Sequence, residues 1–228
     1  MRSRERRGTD SREGAEAMKN VFVHGLGQTP DSWKPVFSLL DGPGDCACPD
    51  LAAMVSAGEA TYARLYRAFT RLCDGLEAPL ALCGLSLGGV LSLHYAVEHP
   101  ERVGSLVLIA PQYKMPKRLL QVQNTLFRLM PRTMFRETGF EKAQFLQLCR
   151  SMMELDFSSA LSGIACPTLV ICGDRDRANR QACKDLARLV KGAHLRVVEG
   201  AGHELNREAP EKLALLLREF YDRAPEVR

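Results

Sequence analysis

The sequence predicts an α/β protein with a mostly parallel sheet and helices on both of its faces. From Asn20 onward, short apolar runs alternate with longer stretches of helical spacing, the pattern of successive βα units. The runs SLVLIAP and PTLVICG are apolar almost throughout, as strands buried on both faces are. One strand, PLALCG, leads at once through the glycine-rich turn GLSLGG into the helical stretch LGGVLSLHYAVEH. The chain has 228 residues, a length that suits one domain. No apolar run approaches the roughly eighteen residues of a bilayer crossing.

The opening stretch, MRSRERRGTDSREGAEA, is charged and nearly free of apolar residues. It lacks the apolar centre of a secretory signal, and its mixed acids and arginines do not suit a transit peptide, so residues 1–18 are expected to form a disordered leader. NVFVHG reads as a strand ending at Gly25. QTPDSWKPVF then opens a helix with Asp31 as N-cap and Trp33 as its anchor. CACPDL is a second, weaker strand, and EATYARLYRAFTRLCDGL a helix with Ala60, Leu65, Phe69 and Leu72 along one stripe. HLRVVEG is the final strand, and APEKLALLLREFYDR a last helix with Pro210 in its first turn. Between Gln112 and Ala160 the alternation lapses into a Met-rich helical pattern broken at Pro131 and Gly139. Residues 112–160 are therefore expected to be an inserted helical lid, with 19–111 and 161–228 forming the core.

Charge and cysteine usage exclude several classes of function. The formal net charge is +4, and no Lys/Arg stripe interleaved with aromatics points to nucleic acid. Cysteines such as Cys83, Cys166 and Cys172 sit in apolar runs, which fits free thiols and a cytoplasmic location. The CAC of Cys46 to Cys48 has no second Cys or His pair to complete a metal site. With no H-E-x-x-H, P-loop or dinucleotide fingerprint, no metal or cofactor is expected, and neither a nucleic-acid nor a membrane partner.

Ser86, flanked by Gly84 and Gly88, stands where a strand turns into a helix, the context of a nucleophile elbow; the alternative is a tight turn with an idle serine. A serine hydroxyl needs a base to take its proton. Among the five histidines, His24 ends the first strand, His94 and His99 lie on the helix after the elbow, and His194 lies in the last strand. His203 alone occupies a loop at the carboxyl edge of the sheet, the edge that also carries Ser86. The base needs an acid to orient it, and CGDRDRAN offers Asp174 and Asp176. Asp176 is favoured by its reach past the strand end, while Asp174 is suited to satisfy loop amides.

In these pieces, HGLG, GLSLGG, GDRD and GAGHELNREAP, ordered serine, acid, histidine, the chain resembles the α/β-hydrolase fold, and within it the lidded, single-domain serine hydrolases. The resemblance runs from Asn20 to the last helix. It implies Asp176 as the acid, at the fourth position of G-x-x-D, and the backbone N–H groups of Leu26 and Leu87 as oxyanion donors. It also implies two strands before VFVHG for which this chain has only its leader, so a sheet lacking the usual first two strands is expected. The lid matches no particular subfamily.

Apolar lid residues Leu126, Phe127, Leu129, Met130, Phe145, Met152, Met153 and Phe157 are candidates to line an acyl pocket, with Phe127, Met130 and Met153 singled out. Lys114, Lys117, Arg118, Arg128, Arg132 and Arg136 are a candidate anion-attracting set. The expected activity is hydrolysis of a small carboxylic ester or thioester through a Ser86 acyl-enzyme. Its partner is a small-molecule acyl substrate, and the chain is a monomer or homodimer. The alternatives are C–C bond hydrolysis or a lyase step on an anionic carbonyl compound, and a ligand-sensing protein that retains the triad.

Overall fold

A computed structural model describes residues 18–40, 46–117, 121, 125 and 127–223, the side chains of Arg136 and Glu137 excepted. The expected leader lies outside the described residues apart from Met18, as do Leu126 and Arg118. The core is a six-stranded sheet in which every paired neighbour is parallel. In chain order the strands are β1 (Lys19–Val23), β2 (Cys46–Ala47), β3 (Leu80–Leu85), β4 (Val103–Ile109), β5 (Thr168–Gly173) and β6 (His194–Val198). Across the sheet they run β2-β1-β3-β4-β5-β6. The weak strand expected over CACPDL is a two-residue edge, and among the described residues no strand precedes Lys19.

The helices are α1 (Lys34–Phe37), α2 (Tyr62–Asp74), α3 (Leu87–Glu98), α4 (Lys142–Ser151), α5 (Arg180–Leu189), α6 (Leu205–Glu208) and α7 (Pro210–Arg223). Alternation along the strands divides the core in two. Val21, Val23, Leu80, Leu82, Leu106, Leu108, Val170 and Cys172 pack with Leu65 and Phe69 of α2, Leu91 of α3 and Leu186 of α5. Phe22, Leu85, Val107, Ile109, Leu169 and Ile171 face the other way, onto Trp33, Val36, Leu213 and Leu217. β3 and β5 are buried at every residue, which is why their sequences carry no polar alternation. Among the described residues no helix is long and apolar enough to cross a membrane.

Two local expectations change. The α2 stripe is Tyr62, Leu65, Phe69 and Cys73, with Leu72 half-buried, because the helical period brings position 73 rather than 72 under Phe69. Thr29, not Asp31, is the N-cap of the turn Pro30–Trp33. Proline's fixed φ suits the first helical position, so the turn starts early and exposed Asp31 pairs with Lys34 at 3.0 Å instead. Trp33 is fully buried, its ring edge-on to Phe22 at 5.3 Å.

Residues 112–160 leave the sheet after β4 and return before β5. Their two ends are joined by an antiparallel bridge between Lys114 and Asp156, with Met115 N–H donating to Leu155 O at 3.0 Å and Phe157 N–H to Tyr113 O at 2.9 Å. Between these ends lie a 3-10 turn, Arg132–Thr138, and α4. Their Phe135, Phe140, Phe145 and Leu148 pack on the α2 and α3 side of the core.

Candidate active site

Ser86 sits between β3 and α3 at φ 53° and ψ −113°, a left-handed backbone that costs a non-glycine residue roughly 1–3 kcal/mol. The turn is held by Ser86 N–H donating to Ile109 O at 2.8 Å and Val90 N–H donating to Ser86 O at 2.9 Å. Its glycines are required by backbone crowding. A Cβ at Gly84 would lie 2.3 Å from Gly88 O, and one at Gly88 would lie 2.2 Å from Val23 O on β1. The turn is thus wedged between its own helix and the neighbouring strand, with the serine carried outward at the strand's carboxyl end.

The His203 loop, between β6 and α6, brings its ring to the same edge. His203 Nε2 is 2.9 Å from Ser86 Oγ, and His203 Nδ1 is 2.7 Å from Asp176 Oδ2. An ionised carboxylate only accepts, so Nδ1 carries the hydrogen and Nε2 is left to accept from the serine hydroxyl. Asp176 is almost entirely buried. Burial pushes its pKa up, but hydrogen bonds from His203 and Asn179 and the charge of His203 outweigh it and hold the carboxyl below its ordinary value.

Several supporting residues were not legible in the sequence. Asn179 Nδ2 donates to both Asp176 oxygens at 2.9 Å, and its Oδ1 accepts from Gln112 Nε2 at 2.8 Å. The Glu208 carboxylate accepts from the N–H groups on either side of the histidine, Gly202 at 2.6 Å and Glu204 at 2.9 Å. Asp174 Oδ1 takes the Gly200 N–H at 2.8 Å, so the first aspartate of the motif satisfies a loop amide, as expected.

The other histidines stand apart from this relay. His24 is fully buried, accepts from Leu51 N–H at 3.2 Å and donates to Gly25 O at 2.9 Å. His94 is stacked on Tyr66 at 3.6 Å. His194 is exposed on the edge strand.

Ser86, His203 and Asp176 open onto a cavity of about 390 Å³ whose wall includes Leu26, Leu87, Phe127, Phe145, Cys149 and Met152. Leu87 is the first residue of α3, where the N–H has no intrahelical partner. Of the candidate pocket residues Phe127, Phe145 and Met152 line the cavity, joined by Met115, while Met130 and Met153 do not. Met152 is the buried C-cap of α4, and Met153 follows it in the turn, half-buried and outside the lining. Met130 ends its helical stretch, and its carbonyl accepts from Lys142 Nζ at 2.5 Å.

No Lys or Arg lines the cavity among the described residues. Lys114 is paired with Asp156 at 2.8 Å, Lys117 with Glu154, and Lys142 with the Arg128 and Met130 carbonyls. All eight cysteines are free, and burial raises the Cys149 thiol to about 12. Among the described residues no group of three or more His, Cys, Asp or Glu is placed to hold a metal ion.

Curated relatives cover most of the chain at low identity. A monoacylglycerol lipase, abhd6-B, from Xenopus laevis is 22% identical over 88% of this chain and 74% of its own length. A pimeloyl-[acyl-carrier protein] methyl ester esterase from Neisseria meningitidis is 24% identical over 95% of this chain and 98% of its own. Among solved structures, an enol-lactonase from Burkholderia xenovorans LB400 superposes with a TM-score of 0.78 at 22% identity, covering 93% of this chain and 94% of that one. These likenesses establish the shared fold. The model of the alpha/beta hydrolase family matches residues 21–214, and the chain belongs to that family.

Proposed function

We propose that the protein hydrolyses a carboxylic ester or thioester of an uncharged, largely apolar acyl group. In this reading Ser86 is the nucleophile, His203 the general base and then acid, and Asp176 the group that orients the imidazole. The Leu26 and Leu87 N–H groups receive the oxyanion, and residues 112–160 form a lid over the core made by 19–111 and 161–228. The observation that carries the reading is the unbroken run Ser86 Oγ, His203 Nε2, His203 Nδ1, Asp176 Oδ2, with contacts of 2.9 and 2.7 Å, opening on an apolar cavity.

As Ser86 Oγ attacks the carbonyl carbon, its proton passes to His203 Nε2. The imidazolium that forms is stabilised by Asp176, and each oxyanion donor lowers the barrier by about 3–4 kcal/mol. Collapse of the tetrahedral species expels the alcohol or thiol with the proton from Nε2. Water, deprotonated by the same nitrogen, then attacks the acyl-enzyme and releases the acid.

The acyl class follows from the cavity wall, which is apolar apart from Gln112, Asn179 and the relay itself. No described Lys or Arg lines the cavity, and Lys114, Lys117 and Lys142 are engaged elsewhere, which argues against an anionic acyl group. The names of the relatives agree, since a monoacylglycerol lipase, a methyl ester esterase and an enol-lactonase all point to carboxylic ester bonds. The test compares p-nitrophenyl butyrate with p-nitrophenyl hemisuccinate, on wild type and Ser86→Ala. The butyrate is expected to be favoured at least tenfold in kcat/KM, with turnover abolished in the variant. Undiminished turnover by Ser86→Ala would remove the serine, and equal use of the hemisuccinate would remove the acyl class.

A further inference from the structure

Two buried amides join the loop that carries Leu26 to the loop that carries His203. Gln28 is 1% exposed and Asn206 is fully buried. They bond reciprocally, Gln28 Nε2 donating to Asn206 Oδ1 at 3.1 Å and Asn206 Nδ2 to Gln28 Oε1 at 3.0 Å. Two backbone groups fix which way round the amides sit. Gly25 N–H donates to Gln28 Oε1 at 3.3 Å, and Asn206 Nδ2 donates to Ser32 O at 3.2 Å.

Gln28 also closes the turn that presents Leu26. Its N–H donates to Gly25 O at 3.2 Å, and Gly27 at φ 85° supplies the positive φ such a turn needs at its third position. This hydrogen bond uses the Gln28 amide and not that of Leu26, a residue of the cavity wall. At the other end, Asn206 lies in α6, three residues after His203 and two before Glu208, whose carboxylate brackets the histidine. The reciprocal pair by itself does not call for amides, because an apolar pair of similar shape is close to neutral in stability when it replaces both partners of a buried hydrogen bond; the amides also serve Gly25 N–H and Ser32 O, which an apolar pair would leave without these partners.

We infer that Gln28 and Asn206 are positioning residues that hold the Leu26 N–H and the His203 imidazole in one register, so that the oxyanion donor and the base meet the same carbonyl. The inference rests on the serine hydrolase reading above. Disturbing the pair acts on the transition state rather than on the acyl pocket, and a displacement near 1 Å costs up to about a hundredfold in rate.

The experiment uses the full chain carrying Gln28→Leu, Asn206→Leu and both together, beside Ser86→Ala. Each variant is followed by p-nitrophenyl butyrate kinetics, thermal unfolding and hydrogen exchange of residues 24–28 and 203–208. Each single change should lower kcat by about ten- to a hundredfold with KM nearly unchanged. Asn206→Leu should also speed exchange at 24–28 and Gln28→Leu at 203–208. The double variant should melt above the less stable of the two single variants, though below wild type because Gly25 N–H and Ser32 O lose their partners, while its kcat stays as low as theirs, which a purely structural role would not produce. A double variant with wild-type kcat, or single variants whose exchange changes only in the mutated loop, would overturn the inference. Full turnover in Ser86→Ala would instead overturn the serine reading, so the two failures are distinguishable.

Discussion

The loops at the carboxyl ends of β3, β5 and β6 and the segment 112–160 are built on opposite principles, although both face one cavity. In the loops each functional side chain is fixed by polar contacts: Asp176 by Asn179, and the backbone around His203 by Glu208. The segment contributes side chains such as Met115, Phe127, Phe145 and Met152, which present shape without direction, methionines being adaptable in form. The difference teaches that rate and selectivity are separable here. Changes in the loops should act on kcat, and changes in the segment on which acyl group is preferred.

The largest effect should come from Ser86. Ser86→Ala is expected to lower kcat by about a millionfold, with the melting temperature nearly unchanged, since alanine keeps the Cβ in the same left-handed backbone. Asp176→Asn should follow, at about a thousand- to ten-thousandfold in kcat, by steady-state kinetics. The same variant tests the acid limb of stability. The folded-state pKa of Asp176 is lowered, so its contribution is fully present above the ordinary carboxylate value and is lost as pH falls through the lowered one. Denaturation followed from neutral pH downward should lose stability less steeply in Asp176→Asn than in wild type, and an equal slope would contradict the assignment.

Glu208→Ala comes next, at about tenfold in kcat. It removes two charge-assisted hydrogen bonds of roughly 1.5–3 kcal/mol each at full burial, discounted because Glu208 is exposed. If its effect fell on KM instead, Glu208 would not be acting through His203. In the segment, Met152→Ala should leave kcat for an acetyl ester within about twofold and move the preferred chain toward longer acyl groups. Each methylene newly accommodated contributes about 0.8 kcal/mol, or about fourfold in kcat/KM across a p-nitrophenyl ester series. Met153→Ala, at a position outside the cavity lining, should not move that preference, and a shift there would contradict this assignment of the wall.

The same contrast explains what the sequence disclosed. β3 and β5 could be read because burial on both faces forbids polar residues, and the elbow because its glycines answer to local backbone crowding. Ser86, His203 and Asp176 could be found because each follows a recognisable strand. Glu208, Asn179, Gln112, Gln28 and Asn206 could not, since a polar residue in a loop reads the same whether solvated or paired. The partners Gln28 and Asn206 are 178 positions apart. That Met152 rather than Met153 lines the cavity is not legible, since both follow the last residue of α4 and helical periodicity does not fix where a turn points its side chains. The fate of the basic residues of 112–160 is illegible for a related reason: charge can be counted in a sequence, but ion pairs such as Lys114 with Asp156 and Lys117 with Glu154 cannot.

The central claim is that Ser86 is an activated nucleophile because His203 accepts its proton. Intact-mass analysis after treatment with a fluorophosphonate tests it most directly, on wild type, Ser86→Ala and His203→Ala. The account predicts a single covalent adduct on the wild-type protein and none on either variant. A folded wild-type protein that takes up no label, or a Ser86→Ala variant that is still labelled, would contradict it.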